Sequence, residues 1–275
     1  MSFCAPNVKV KDNYTCFTYE ELKSLAEAFN NMVEQNIPIC MKRKCAKKQK
    51  IKMTGDKRKL WGRINERLRY LCKREYCWIE QNFLDDIQDK FLREKLMYYT
   101  FKPKMTKTRH TWLDTIDINN VLQQYHELFS NFNFLGALPS DFYTKIPFKT
   151  SDLHKYNQVG IIFNLDTHDM PGSHWVAFLV DNVTKRIEYF DSTGDYPNKY
   201  ISKFIDKIRL DKKFKDYDVK INTNVHQQEN TECGVYSIYY IIHRLLGYTF
   251  EDISNHKIKD KYMNKFRDVI FRPRL

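Results

Sequence analysis

A chain of 275 residues with 42% apolar content can fill a hydrophobic core without covalent staples, either as one large domain or as a catalytic domain with an appendage. No stretch approaches the roughly 18 uninterrupted apolar residues of a membrane helix, and the start, MSFCAPNVKVKDN, lacks the apolar run of a secretory signal. The net charge of +12 is concentrated: residues 40–74 hold fifteen Lys/Arg against Asp56 and Glu66, so the remainder is close to neutral.

From residue 16 to 100 the pattern is helical, with apolar positions near period 3.6 in EELKSLAEAFNNMVEQN and in WGRINERLRYLCKREYCWIEQNFLDDIQDKFLREKLMYY. An all-α, basic arm is expected there. Its charge run is a field for phosphate backbones or acidic partners, and Lys42, Arg43, Lys44, Lys47, Lys48, Lys57, Arg58 and Lys59 are its candidate nucleic-acid contacts. The same run also reads as a solvated helix face. Trp61, Tyr70, Tyr76 and Trp78 are interleaved with it, at a spacing that suits a core more simply than base stacking. The seven cysteines are an odd number at irregular spacing. At least one is therefore unpaired, and with no secretory signal the expectation is free thiols in an intracellular, reducing setting. Cys40 with Cys45 and Cys72 with Cys77 fall at the wide limit of thiolate pairs for zinc, but five residues apart in a helix means different faces, so no metal site is expected.

The polar stretch FKPKMTKTRHT (101–111) marks the boundary, giving an arm over 1–105 and a second domain over 106–275. TWLDTIDINNVLQQYHELF follows, with Asp114, Thr115 or Asp117 available as a helix cap. The period then shortens. NQVGIIFNLD, HWVAFLVD, KRIEYFDS and DVKINTNV read as strands, and YISKFIDKIRL reads as a helix, which together predict an α+β domain.

NTECGVYSIYYIIHRLLG places Cys233 in the first turn of an apolar helix that Gly247 stops. Unpaired amides and the positive end of the helix dipole favour a thiolate there, and Gly234 lets a substrate backbone approach closely. A thiolate nucleophile needs an imidazole, and the imidazole needs an orienting group. If 174–181 and 186–191 form a hairpin turning at Asn182–Lys185, a symmetric register sets Asp191 across from Val176, with His174 on the same sheet face. The other histidines, His168, His226 and His243 among them, lack such a partner pattern. A side-chain amide six residues before Cys233, Gln227, is placed to hold an oxyanion; Gln228 is equally eligible by spacing.

In the order His174, Asp191, Gln227, Cys233 the chain resembles the adenain/Ulp1-like cysteine proteases. HWVAFLVD, IEYFDSTG, TECG and MNKFRDVIFR look closest to the polyprotein-processing protease of African swine fever virus and its relatives in other large DNA viruses. The similarity covers about residues 110–275. It implies a central mixed sheet flanked by helices, selects Gln227 over Gln228, and matches Trp175 to a tryptophan lining a narrow substrate tunnel. It further implies cleavage after Gly-Gly in viral structural polyproteins, in infected cytoplasm or the maturing particle, with no cofactor required for the chemistry. Adenain uses DNA as a cofactor, which points the basic segment at DNA activation. A ubiquitin-like-modifier isopeptidase shares the chemistry, and an inert nucleic-acid-binding core protein is the remaining alternative, opposed by the intact set of four residues.

Overall fold

The computed structural model describes residues 3–9, 13–41, 44–108 and 111–273. The chain divides into two units, one of Met1–Pro103 with Arg272–Leu275, the other of Lys104–Phe271.

In the first unit, α1 (Tyr19–Glu34) opens on a capping box. The Thr18 hydroxyl receives the Glu21 N–H, and the Glu21 carboxylate receives the Thr18 N–H. Leu22, Leu25, Ala26 and Phe29 form its buried stripe. A two-residue hairpin, β1 (Cys40–Met41) and β2 (Lys44–Cys45), precedes α2 (Lys57–Leu68), which Asp56 caps and which buries Leu60, Ile64 and Leu68. There the continuous helical pattern expected over 61–99 breaks up. The chain passes through 3₁₀ turns at Glu75–Glu80 and Asn82–Asp86 before α3 (Lys90–Glu94), which runs into a π-helical turn at Lys95–Tyr99.

Glu75 shows why. Its buried carboxylate receives the Thr15 hydroxyl at 2.7 Å, the Cys16 N–H at 2.8 Å and the Trp61 indole N–H at 3.0 Å. An interior carboxylate must find such partners, and a straight helix would carry it away from all three. Burial pushes its carboxyl above the usual range, against those hydrogen bonds.

The expectation of free thiols is overturned. Cys4–Cys16, Cys40–Cys45 and Cys72–Cys77 are disulfides, and Cys233 alone is free. Cys72 and Cys77 do not share a helix: α2 ends at Leu68, and the following turns fold one sulfur onto the other. The case for a reducing compartment that rested on free thiols lapses with it, and the four cysteines weighed as zinc ligands are engaged with one another.

The second unit begins with α4 (Thr115–Leu128), capped by the Asp114 carboxylate, which accepts the Asp117 N–H. Then follow β3 (Phe132–Pro139), β4 (Gln158–Asn164), β5 (Trp175–Asp181), β6 (Arg186–Phe190), α5 (Lys199–Leu210), β7 (Asp218–Ile221), α6 (Cys233–Leu245), α7 (Phe250–Ser254) and α8 (Asp260–Ile270). The sheet is mixed, in the order β3-β4-β5-β6-β7: the two outer pairs are parallel and the two inner pairs antiparallel. DVKINTNV is extended only as far as Ile221, because Asn222 turns away to donate to the Asp191 carbonyl at 2.6 Å.

Side-chain alternation along β5 divides the core. Trp175, Ala177 and Leu179 join Leu122 of α4, Ile238 and Ile241 of α6 and Met263 of α8. Val176, Phe178 and Val180 face Ile201, Phe204 and Ile208 of α5. α6 thus lies inside the domain, and a buried charge cluster fixes it there. Arg244 makes a two-pronged contact with Glu188 at 2.7 and 2.9 Å and reaches Asp181 at 2.9 Å, while Tyr240 donates to Glu188 at 2.5 Å.

Candidate active site

The β5–β6 register runs from Asp181 opposite Arg186 to Ala177 opposite Phe190. One step further sets Val176 against Asp191, as the symmetric hairpin predicts. His174 just precedes one strand and Asp191 just follows the other, and His174 Nε2 lies 2.7 Å from Asp191 Oδ1. The carboxylate is fully buried and fixed from several sides. Its Oδ1 also accepts the Thr193 N–H at 2.9 Å and the Thr193 hydroxyl at 2.8 Å, and the Tyr189 hydroxyl stands 3.4 Å from Oδ2. Gly194 closes this turn at φ +77°, where a Cβ would come within 2.9 Å of the Thr223 carbonyl oxygen.

Cys233 is the first residue of α6, buried at the positive end of its dipole, where negative charge is stabilised. Burial alone would disfavour a charged His174. The hydrogen bond to Asp191, the Cys233 sulfur and the charges of both outweigh it and push the imidazole up to about 10. With Nε2 committed to Asp191, Nδ1 is the ring atom left for the sulfur.

The two glutamines part company. Gln227 is buried: its carbonyl accepts the Ser192 hydroxyl at 2.7 Å and its amide donates to the Glu229 carbonyl at 2.5 Å, leaving a second amide N–H. Gln228 is exposed, with its backbone N–H on Asp260 at 3.0 Å.

Trp175 donates its indole N–H to the Leu113 carbonyl at 2.9 Å. A Cβ on Gly234 would sit 3.2 Å from Leu113 Cβ and 3.4 Å from Trp175 Cδ1, so the glycine permits this close packing. Trp175 also lines a cleft of about 360 Å³ with Trp112, Leu113, Ala137, Asn164 and His168. Two of these escaped the sequence reading. Trp112 donates its indole N–H to the Asn230 carbonyl, in the loop that carries the cysteine; its signal was its place just before the Asp114 cap. His168, which has no partner pattern in the sequence, is held by Asp141 through Nδ1 at 2.8 Å and through its backbone N–H at 2.9 Å. Asp141 lies 27 residues away, two residues past β3, whose parallel pairing with β4 brings the two loops together and which the sequence pattern did not identify as a strand.

Of the basic candidates, Lys42 and Arg43 lie outside the described residues. Lys44, Lys47, Lys48, Arg58 and Lys59 are exposed and Lys57 is half-buried. Lys47 lies 5.6 Å from the Tyr70 ring, while Lys57 and Arg58 lie 6.0 and 5.4 Å from Tyr14. Part of the segment's charge is structural, since Arg63 donates to the Lys52 and Met53 carbonyls and Arg67 to that of Gln49. Tyr76 and Trp78 are core and Trp61 is half-buried, whereas Tyr70 is exposed.

A thiol, an imidazole and a buried carboxylate on a mixed sheet form the constellation of a cysteine protease, and residues 87–273 match the Ulp1 protease family, C-terminal catalytic domain. The chain belongs to that family and is a viral cysteine protease. A thiol protease of Acanthamoeba polyphaga mimivirus is 31% identical over 284 residues, 99% of this chain and 94% of that protein. A cysteine protease of African swine fever virus is 36% identical over 121 residues, 42% of this chain and 44% of the other. The crystal structure of an African swine fever virus protease superposes with a TM-score of 0.67 at 22% identity, over 99% of this chain and 96% of that one, a likeness of fold.

Proposed function

We propose that Cys233 is the nucleophile, His174 the general acid–base, Asp191 its orienting carboxylate and Gln227 the oxyanion donor of an endopeptidase that cleaves viral structural polyproteins after Gly-Gly. The observation that carries this is one imidazole hydrogen-bonded at 2.7 Å to a buried carboxylate, with the chain's free thiol as the second group that raises its affinity for a proton. The thiolate attacks the glycyl carbonyl, forming the C–S bond and placing charge on the oxygen. The free amide N–H of Gln227 and the Cys233 backbone N–H hold that charge, the kind of contact worth on the order of 3 kcal/mol. His174 protonates the leaving amine as the C–N bond breaks, then takes a proton from the water that releases the acyl group. All four groups are side chains or backbone of this chain, so the chemistry calls for no cofactor.

Gly-Gly is supported by the crowding at Gly234, where Leu113 and Trp175 leave little room for a substrate side chain. The setting is the infected cytoplasm and the maturing particle. One African swine fever virus relative is named a SUMO-1 cysteine protease, which makes modifier deconjugation the second reading. Incubation with the virus's own core precursors and, in parallel, with SUMO and ubiquitin conjugates separates them: the precursors are cut and the conjugates survive, and the reverse result assigns the enzyme to deconjugation. Cys233→Ala abolishes cleavage of either.

The exposed basic residues of 40–74 make a salt-sensitive contact with nucleic acid. Tyr70 supports this, exposed with Arg69 at 5.0 Å and Lys47 at 5.6 Å from its ring. Binding that persists unchanged in high salt, or is absent in low salt, contradicts it.

A further inference from the structure

We infer that Asp260 and Arg267 are positioning residues for the oxyanion-binding atoms, and that α8 acts as the clamp that sets loop 227–232; the inference rests on the catalytic reading above. The two residues are seven apart, two turns of one helix face and about 10 Å along its axis. Both are buried.

Asp260 grips the front of the loop. Its Oδ2 accepts the Gln228 and Glu229 N–H groups at 3.0 and 3.1 Å, and the Tyr236 hydroxyl stands 3.0 Å from its Oδ1, tying the helix also to α6. The residue it holds matters, because the Glu229 carbonyl, in the next peptide, is the group that receives the Gln227 amide at 2.5 Å. Asp260 therefore fixes Glu229, and Glu229 fixes how the Gln227 amide is turned.

Arg267 grips the back. Its Nη2 donates to the Thr231 carbonyl at 2.8 Å and lies 3.8 Å from Glu232 Oε1. Glu232 is fully buried immediately before the nucleophile, and it folds back to accept the Thr231 N–H at 3.1 Å and the Thr231 hydroxyl at 2.5 Å. Two functions follow from this contact. The Arg267 charge lies against the buried Glu232 carboxylate of the residue before Cys233, and its bond to Thr231 fixes the chain leading into the Cys233 N–H. Neither residue touches the reacting atoms; each acts through a neighbour that sets an oxyanion donor.

The test compares Asp260→Asn, Arg267→Gln and Arg267→Lys in the full chain, on a peptide the wild type cleaves. kcat falls about tenfold or more in Asp260→Asn and Arg267→Gln with KM within about twofold, and Arg267→Lys recovers part of the loss. Cys233 alkylation by iodoacetamide keeps its pH profile in Asp260→Asn, because His174 and Asp191 are untouched. The Gln228 and Glu229 amides exchange hydrogen faster in that variant while the sheet amides do not. A folded Asp260→Asn or Arg267→Gln enzyme with wild-type kcat overturns the inference, as does a loss of alkylation in Asp260→Asn that parallels kcat. Should Arg267→Gln fail to fold, Asp260→Asn and Tyr236→Phe decide from the other end of the clamp. A wild-type chain that cleaves no peptide and whose Cys233 is inert defeats the protease reading itself, and amide exchange then judges the clamp alone.

Discussion

His174 has the Asp191 carboxylate and the Cys233 sulfur as its partners, and they decide its protonation. Its imidazole is raised from 6.5 to about 10, so the folded state holds this proton more tightly than the unfolded chain does. The pair's contribution to stability is therefore fully present below 6.5 and is lost as pH rises through about 10. kcat/KM should hold through neutral and mildly alkaline pH and fall on the alkaline side with a midpoint near 10. Asp191→Ala removes the largest raising contribution, so its alkaline limb moves toward lower pH and turnover slows without vanishing. A pH–rate profile of the two enzymes checks both points, and an unmoved alkaline limb contradicts them. This residue pair was legible before any coordinates because a strand pair has a period of two and a short turn fixes its register. Asp260, Arg267 and Glu232 were not: their roles depend on α8 packing across a loop more than thirty residues away in sequence, which no local period encodes.

Among the elements, α4 and α5 could be read directly from a one-sided apolar stripe, and α6, apolar nearly all round, from its apolar run and the Gly247 stop. Segment 61–99 could not, although its apolar spacing was as regular. A buried carboxylate at Glu75 and a sulfur link between Cys72 and Cys77 outweigh helical propensity there, and both are tertiary facts. α6 raises the opposite question of how a helix bearing Arg244 lies in the core. The answer is its two-pronged contact with Glu188, and breaking a buried pair from one side costs about 3–5 kcal/mol. Arg244→Met should lower the unfolding free energy extrapolated from urea denaturation by that order, and adding Glu188→Leu should return part of it. Equal stability in the single variant and the wild type refutes the cluster's structural role.

At the scale of the molecule, all six paired cysteines lie in the first unit and the unpaired one in the second. Thiol titration of the denatured chain without reductant should find one thiol, and full reduction should release all seven cysteines of the sequence. By loop-closure entropy, each five-residue link contributes about 2 kcal/mol and the twelve-residue link about 3 kcal/mol, so reduction should weaken the first unit; seven thiols before reduction contradicts the pairing. The chemistry proposed for the second unit uses only its own sulfur, Cys233, with His174 as the base that activates it. That claim is tested most directly by treating the native protein with an electrophilic Gly-Gly probe, a vinyl sulfone or aldehyde, and locating the adduct by mass spectrometry. Modification confined to Cys233 and lost in His174→Ala is the predicted result. An adduct elsewhere, or one that forms equally well without His174, contradicts the account.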